Sequence, residues 1–272
     1  MNLDLAPDVN KILAEVEDIT KKKIDFIENK ELTVYATVKI ARKNMPAHLI
    51  IYGREHDAII NHLIAHECGH IIRMYKAPEE KRLIPMSNEK TKLYALKEIE
   101  NDVNMLAKRA PFNKLYMPKF VDMWYEGLIK QLINLPPDVI IEKWLYDKYP
   151  NLRQYQSESI EKQLKEAITG LSDEVRELTP KKIWDSSNTM NYAFLRLIGL
   201  HFGTNYIKPY HNSGFEEQGK KLAKLAEENY ADSYEGDIQV INKWAELLGL
   251  RSWFEWTDFE SVPSDYLNPN NS

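Results

Sequence analysis

His66-Glu67-Cys68-Gly69-His70 sets two imidazoles four residues apart, with a carboxylate beside the first. On a helix, positions i and i+4 share a face with their Cβ atoms about 5–6 Å apart. Both rings can then reach one metal ion at about 2.0–2.1 Å. Glu67 cannot join them as an equivalent ligand. It leans over the open side of the metal, where it can take a proton from bound water. This is the His-Glu-x-x-His arrangement, in which zinc lowers the pKa of its water and the glutamate is the general base. The implied chemistry is metal-assisted hydrolysis, with Zn2+ as cofactor.

The third ligand must come from elsewhere. Positions 71–80 contain no histidine, which excludes the metzincin spacing. Farther on, Glu98-Ile99-Glu100-Asn101-Asp102 holds a Glu and an Asp four apart. That pair suits one carboxylate on the metal and another that accepts the remaining ring N–H of a ligand histidine and fixes its tautomer. Glu98 is assigned as third ligand and Asp102 as its companion. Glu100 is the competing choice, pointing elsewhere on the same helix.

His66-Glu67-Cys68-Gly69-His70 followed 28 residues later by Glu98-x-x-x-Asp102 resembles the gluzincin metallopeptidases, and among them the ImmA/IrrE family. The resemblance covers about residues 32–110. It implies a peptidase, and a strand beside the active helix, here Ala47–Gly53, that aligns the substrate backbone.

Other polar residues are secondary. His62 lies one turn before His66. A row of three histidines over two turns drifts by about 40° from each to the next and can hardly serve one tetrahedral ion, so His62 is read as a supporting or surface residue. Cys68 is read as a buried structural thiol. Tyr116, Tyr206, His201 and His211 could stabilise a developing oxyanion. His201 and Tyr206 are favoured, because the glycine-containing break between them suits the border of a cleft. The tryptophans at 124, 144, 184, 244, 253 and 256 read as core anchors.

The apolar spacing over 8–29 predicts a helix. Residues 32–40 and 47–53 predict two strands, and 57–75 the helix that carries the motif, with Asp57 as its cap. Another helix is expected over 89–110. Beyond Pro111, helices are expected at 119–133, 138–149, 157–169, 189–202, 215–229 and 237–249, with the Pro136-Pro137 pair dividing the first two and Asp138 capping the second. No strand is expected after residue 55. The fold class is α+β, mainly α: a small antiparallel sheet packed on the active-site helix, then a helical C-terminal region. Residues 1–110 form the zincin-like module, and residues 111–272 cover it or shape its cleft.

With 43% hydrophobic and 28% charged residues and a net charge of −5, the 272-residue chain shows no electrostatic signature for nucleic acid or anionic membrane. A single cysteine, no basic-apolar leader and no long apolar run fit a cytoplasmic protein. The function expected is a zinc peptidase acting on a peptide or protein. The rival is a non-catalytic or regulatory metal-binding protein working through a protein partner, as in a toxin–antitoxin or phage-related system.

Overall fold

The computed structural model describes residues 3, 5–32, 35–53, 59–108, 115–229 and 231–262. Helix α1 (Pro7–Thr20) opens on a proline, whose missing N–H costs nothing at a helix start. It ends at Lys21, which adopts the left-handed region with φ 56°. The chain then turns directly into strand β1 (Lys23–Glu28). The helix expected over 8–29 is therefore two elements. Lys23–Glu28 alternates exposed and half-buried positions, the period of a strand.

Strands β2 (Ala36–Lys39) and β3 (Ala47–Tyr52) complete a sheet of order β1-β3-β2. β1 runs parallel to β3, and β2 runs antiparallel to it, so the sheet is mixed rather than wholly antiparallel. Helix α2 (Ile60–Lys76) carries the His-Glu-x-x-His motif and packs on α1 and on β2. Its expected cap, Asp57, lies outside the described residues.

Strand β4 (Leu83–Met86) and helix α3 (Glu89–Leu106) follow. Asn88 and Thr91 cap α3 reciprocally, each side chain bonding the other's backbone N–H. Helix α4 (Met117–Lys148) is continuous through Pro136 and Pro137. The two helices expected there are one. Helices α5 (Arg153–Gly170), α6 (Asp173–Glu177), α7 (Lys181–Phe202), α8 (Glu216–Glu228) and α9 (Tyr234–Leu248) complete the helical region. Strand β5 (Glu255–Asp258) closes back on β4, with Pro85 opposite Trp256. This two-stranded ribbon corrects the expectation of no strands after residue 55. Its strands are 4 residues long, too short for alternation to show in sequence. The chain is thus α+β and mainly α, and among the described residues no helix is long and apolar enough to cross a membrane.

Packing divides the chain differently from 1–110 and 111–272. One core joins α1, β3 and α2 to the last third of α4 through Ile141 and Leu145. The other joins α3 to α4, α7, α8 and α9, so Ala95, Ile99 and Val103 belong with the later helices. α4 spans both cores, and residues 138–142 fall where they meet. Trp124, Trp244 and Trp253 are core anchors as expected, whereas Trp144 and Trp256 are half-buried.

Candidate metal centre

The close approach of α2 and α4 is set by one residue. A Cβ at Gly69 would lie 2.7 Å from Ile141 Cγ2, well inside contact distance, so only glycine lets α4 settle this near the histidine face. α4 presents Asp138 and Glu142 there, four apart and therefore on one face.

The two carboxylates do different things. Glu142 is fully buried and accepts from His66 Nδ1 at 2.8 Å, from His62 Nε2 at 3.0 Å and from Gln156 Nε2. Burial works against its charge, but the imidazoles of His62 and His66 outweigh it and hold the carboxyl well below the usual carboxylate range. An ionised carboxylate can only accept, so His66 Nδ1 must carry the proton. The lone pair of His66 then lies on Nε2.

That Nε2 lies 3.2 Å from His70 Nε2 and 3.3 Å from Asp138 Oδ1, and His70 Nε2 lies 3.1 Å from Asp138 Oδ1. Three electron-pair donors thus converge. Asp138 Oδ1 is buried without a well-formed hydrogen bond. The two imidazoles face each other nitrogen to nitrogen, an arrangement that repels unless a proton or a cation sits between them. A small dication with bonds of about 2.0–2.1 Å in tetrahedral geometry separates its ligand atoms by about 3.3–3.4 Å. The observed spacing of 3.1–3.3 Å matches that triangle. His66, His70 and Asp138 can therefore hold a metal ion, with side chains 14%, 21% and 15% exposed, so the centre lies just under the surface.

His62, His66 and Glu142 also cluster within metal-binding distance. His62 Nε2, His66 Nδ1 and the Glu142 carboxylate are already joined by hydrogen bonds, and His66 reaches them through the nitrogen facing away from the first group. The hydrogen bonds of this second cluster orient His66 toward the first.

Burial opposes the positive charge on His66, yet Asp138 and Glu142 together raise its pKa well above the ordinary imidazole value. Burial would likewise raise Asp138, but His66 and His70 outweigh it and lower it. Glu67, beside His66, is raised, chiefly by burial, with the neighbouring histidines pulling the other way. A glutamate lifted toward neutrality is suited to general base work. Cys68 is fully buried, and burial pushes its thiol far above the usual range, which fits a structural role.

The structure brings His66, Glu67 and His70 together but does not bring Glu98 or Asp102 to them. Glu98 pairs with Lys182 Nζ at 2.6 Å, and Asp102 accepts from the backbone N–H of Lys181 at 2.7 Å, at the start of α7. α3 buries Ala95, Ile99 and Val103 in the other core, and its Glu98 and Asp102 meet α7. Asp138 stands beside the two histidines where Glu98 was expected, and Glu142 bonds the ring N–H of His66 as Asp102 was expected to do. Glu100 is exposed on the same helix. His62, fully buried, belongs to the supporting shell around Glu142. His201 is bonded to Asp147, His211 faces Glu216, Tyr206 packs against Gly199, and Tyr116 is exposed at the start of α4, so none of these candidates joins the cluster. β3, expected to align a substrate, is hydrogen-bonded on both sides and has no free edge.

A signal for the missed pair exists in the chain. Glu142 follows Val139-Ile140-Ile141 on the buried stripe of a helix, and an acid there demands partners. No protein-family model, curated protein or solved structure matches the chain.

Proposed function

We propose that the chain is a zinc-dependent peptidase. The observation that carries this reading is the convergence of His66 Nε2, His70 Nε2 and Asp138 Oδ1 into a triangle of 3.1–3.3 Å, with Glu67 beside it. Two imidazoles and one carboxylate make a three-ligand set that leaves a position open, as catalytic rather than structural zinc requires. The same ligand types also serve non-haem iron. Glu67 favours hydrolysis, because a base next to the first ligand is what activation of water needs.

Zinc held by these residues supplies Lewis acidity for a carbonyl and acidifies water. Glu67 takes the proton of the attacking water and returns it to the leaving amine nitrogen as the peptide bond breaks. Glu142 holds His66 in the Nδ1–H tautomer. Asp138 compensates charge at the centre.

β2 supports the reading from the substrate side. Gly53 donates to Tyr35, which marks 35/53 as a hydrogen-bonded pair and, by alternation, 37/51 and 39/49 as well. Ala36 and Val38 therefore turn their peptide groups to the outer edge of the sheet. β2 is also the strand with most contact to α2. An extended peptide could add to that edge, the role the gluzincin likeness gave to Ala47–Gly53.

The test joins metal analysis to one substitution. The purified protein should carry or take up about one equivalent of zinc and cleave unfolded protein substrates. Glu67→Gln should keep the zinc and lose about 10²–10⁴-fold in rate. Failure to take up zinc, or equal cleavage by both proteins, refutes the proposal.

A further inference from the structure

A cavity of about 150 Å³ opens beside His70. Its lining is drawn from distant parts of the chain: Met74 of α2, Ile84 of β4, Ile133 of α4, Ile238 and Ile241 of α9 and Trp256 of β5. Ile40, which follows β2, also borders it. Most of the side chains that line it are apolar. The charged groups on its wall, Arg73 and Asp237, are bound to each other through two hydrogen bonds of 2.7 Å, so they neutralise one another. Its walls are braced. Trp256 donates its indole N–H to Asn242 at 2.9 Å, and Tyr234, another lining residue, donates to the carbonyl of Leu83.

A second, larger cavity of about 340 Å³ shares Arg73 and Tyr234 with the first but includes none of the three ligand residues. Of these two cavities, the smaller combines contact with His70, an apolar interior and the end of β2.

We propose that this cavity is the subsite for a bulky apolar side chain, such as Leu, Met or Phe, on the residue adjoining the bond that is cleaved. The proposal rests on the peptidase reading and names its substrate class. An apolar cavity of about this size accommodates a benzene-sized group. A charged side chain would lose its hydration there, and the Arg73 and Asp237 on the wall are already bound to each other. The β4–β5 ribbon and α9, which no metal ligand requires, thereby acquire a function: they build the wall that selects the substrate.

The experiment uses zinc-loaded Glu67→Gln, so that binding is read without turnover, together with wild type for cleavage. Probes are short peptides identical but for one residue, Phe, Leu, Ala or Asp. Phe and Leu peptides should bind about 10- to 100-fold tighter than the Ala peptide, and the Asp peptide weakest. Wild-type cleavage should fall beside the same residues. Ile238 is half-buried, which favours folding of its variants. Ile238→Phe should narrow the cavity and shift preference toward smaller apolar residues, and Ile238→Ala should shift it toward Phe and Trp. Cleavage without apolar preference, or a preference unmoved by both Ile238 variants, overturns the subsite and leaves the peptidase intact. Zinc-loaded protein that neither binds nor cleaves any of the peptides overturns both.

Discussion

Replacing Glu142 by Gln changes one oxygen for an NH2 and keeps the shape of the side chain, so it isolates the part of the centre that the fold alone assembles. The carboxylate accepts from His66 Nδ1, His62 Nε2 and Gln156 Nε2. Gln156 also reaches the backbone carbonyl of Glu142 at 2.8 Å and can retain that bond. Oε1 already meets both histidines and an amide oxygen has two lone pairs, so they can share it as a neutral acceptor, while an NH2 in place of Oε2 faces the Gln156 Nε2 donor. One buried donor is left unsatisfied, at about 1–3 kcal/mol of stability. His66 then bonds a neutral oxygen in place of a charged one, which should weaken metal binding by about 10–100-fold, or roughly 1.4–2.7 kcal/mol. Chelator competition measures the affinity and thermal melting the stability. Asp102→Asn is the control, since Asp102 only accepts from the first backbone N–H of α7. It should cost at most about 1 kcal/mol and leave zinc affinity unchanged. Zinc binding by Glu142→Gln within twofold of wild type would refute the reasoning, and so would an equal loss in Asp102→Asn.

Three further outcomes are expected. Asp138→Asn should bind zinc far more weakly than wild type, whereas Glu98→Gln should bind it normally; the reverse order in a zinc titration would restore Glu98 as the ligand. Gly69→Ala forces its new methyl against Ile141 Cγ2 at 2.7 Å and should cost about 1–3 kcal/mol while parting the ligands of α2 from Asp138; unchanged melting and zinc affinity would contradict the packing argument. In metal-free protein, the raised pKa of His66 gives stability that is full below its ordinary value of 6.5 and fades as pH rises through the raised value. The lowered pKa of Glu142 gives stability that is full above its ordinary value of 4.5 and fades as pH falls below that. The contribution of the cluster should therefore be complete between about pH 4.5 and 6.5 and fall away on either side. Zinc competes with the protons and should flatten the alkaline limb. A denaturant titration at several pH values, with and without zinc, shows either that shape or its absence.

The parts of the centre legible in sequence are those that one helix fixes by itself. A spacing of four puts His66 and His70 on one face whatever surrounds them, and Glu67 follows from adjacency. The fold class was legible for the same reason, since helical periodicity is a local property, as was the close approach permitted by Gly69. Strands of 4 residues, β4 and β5, carry too few positions to show a period, and their pairing spans about 170 residues.

Asp138 and Glu142 needed the tertiary structure. A pair of prolines normally ends a helix, because each lacks the N–H of the ladder and crowds the preceding turn. On that reading Asp138 had a sufficient role as the cap of a new helix. In the folded chain α4 continues through Pro136 and Pro137, anchored in one core as far as Val139 and in the other from Ile141. That double anchorage decides which acids meet the histidines. Glu98 and Asp102 had the right types at the right spacing, yet Ala95, Ile99 and Val103 turn their helix toward the other core. Local spacing placed His66, Glu67 and His70 together; the burial of apolar faces elsewhere in the chain decided which carboxylates meet them.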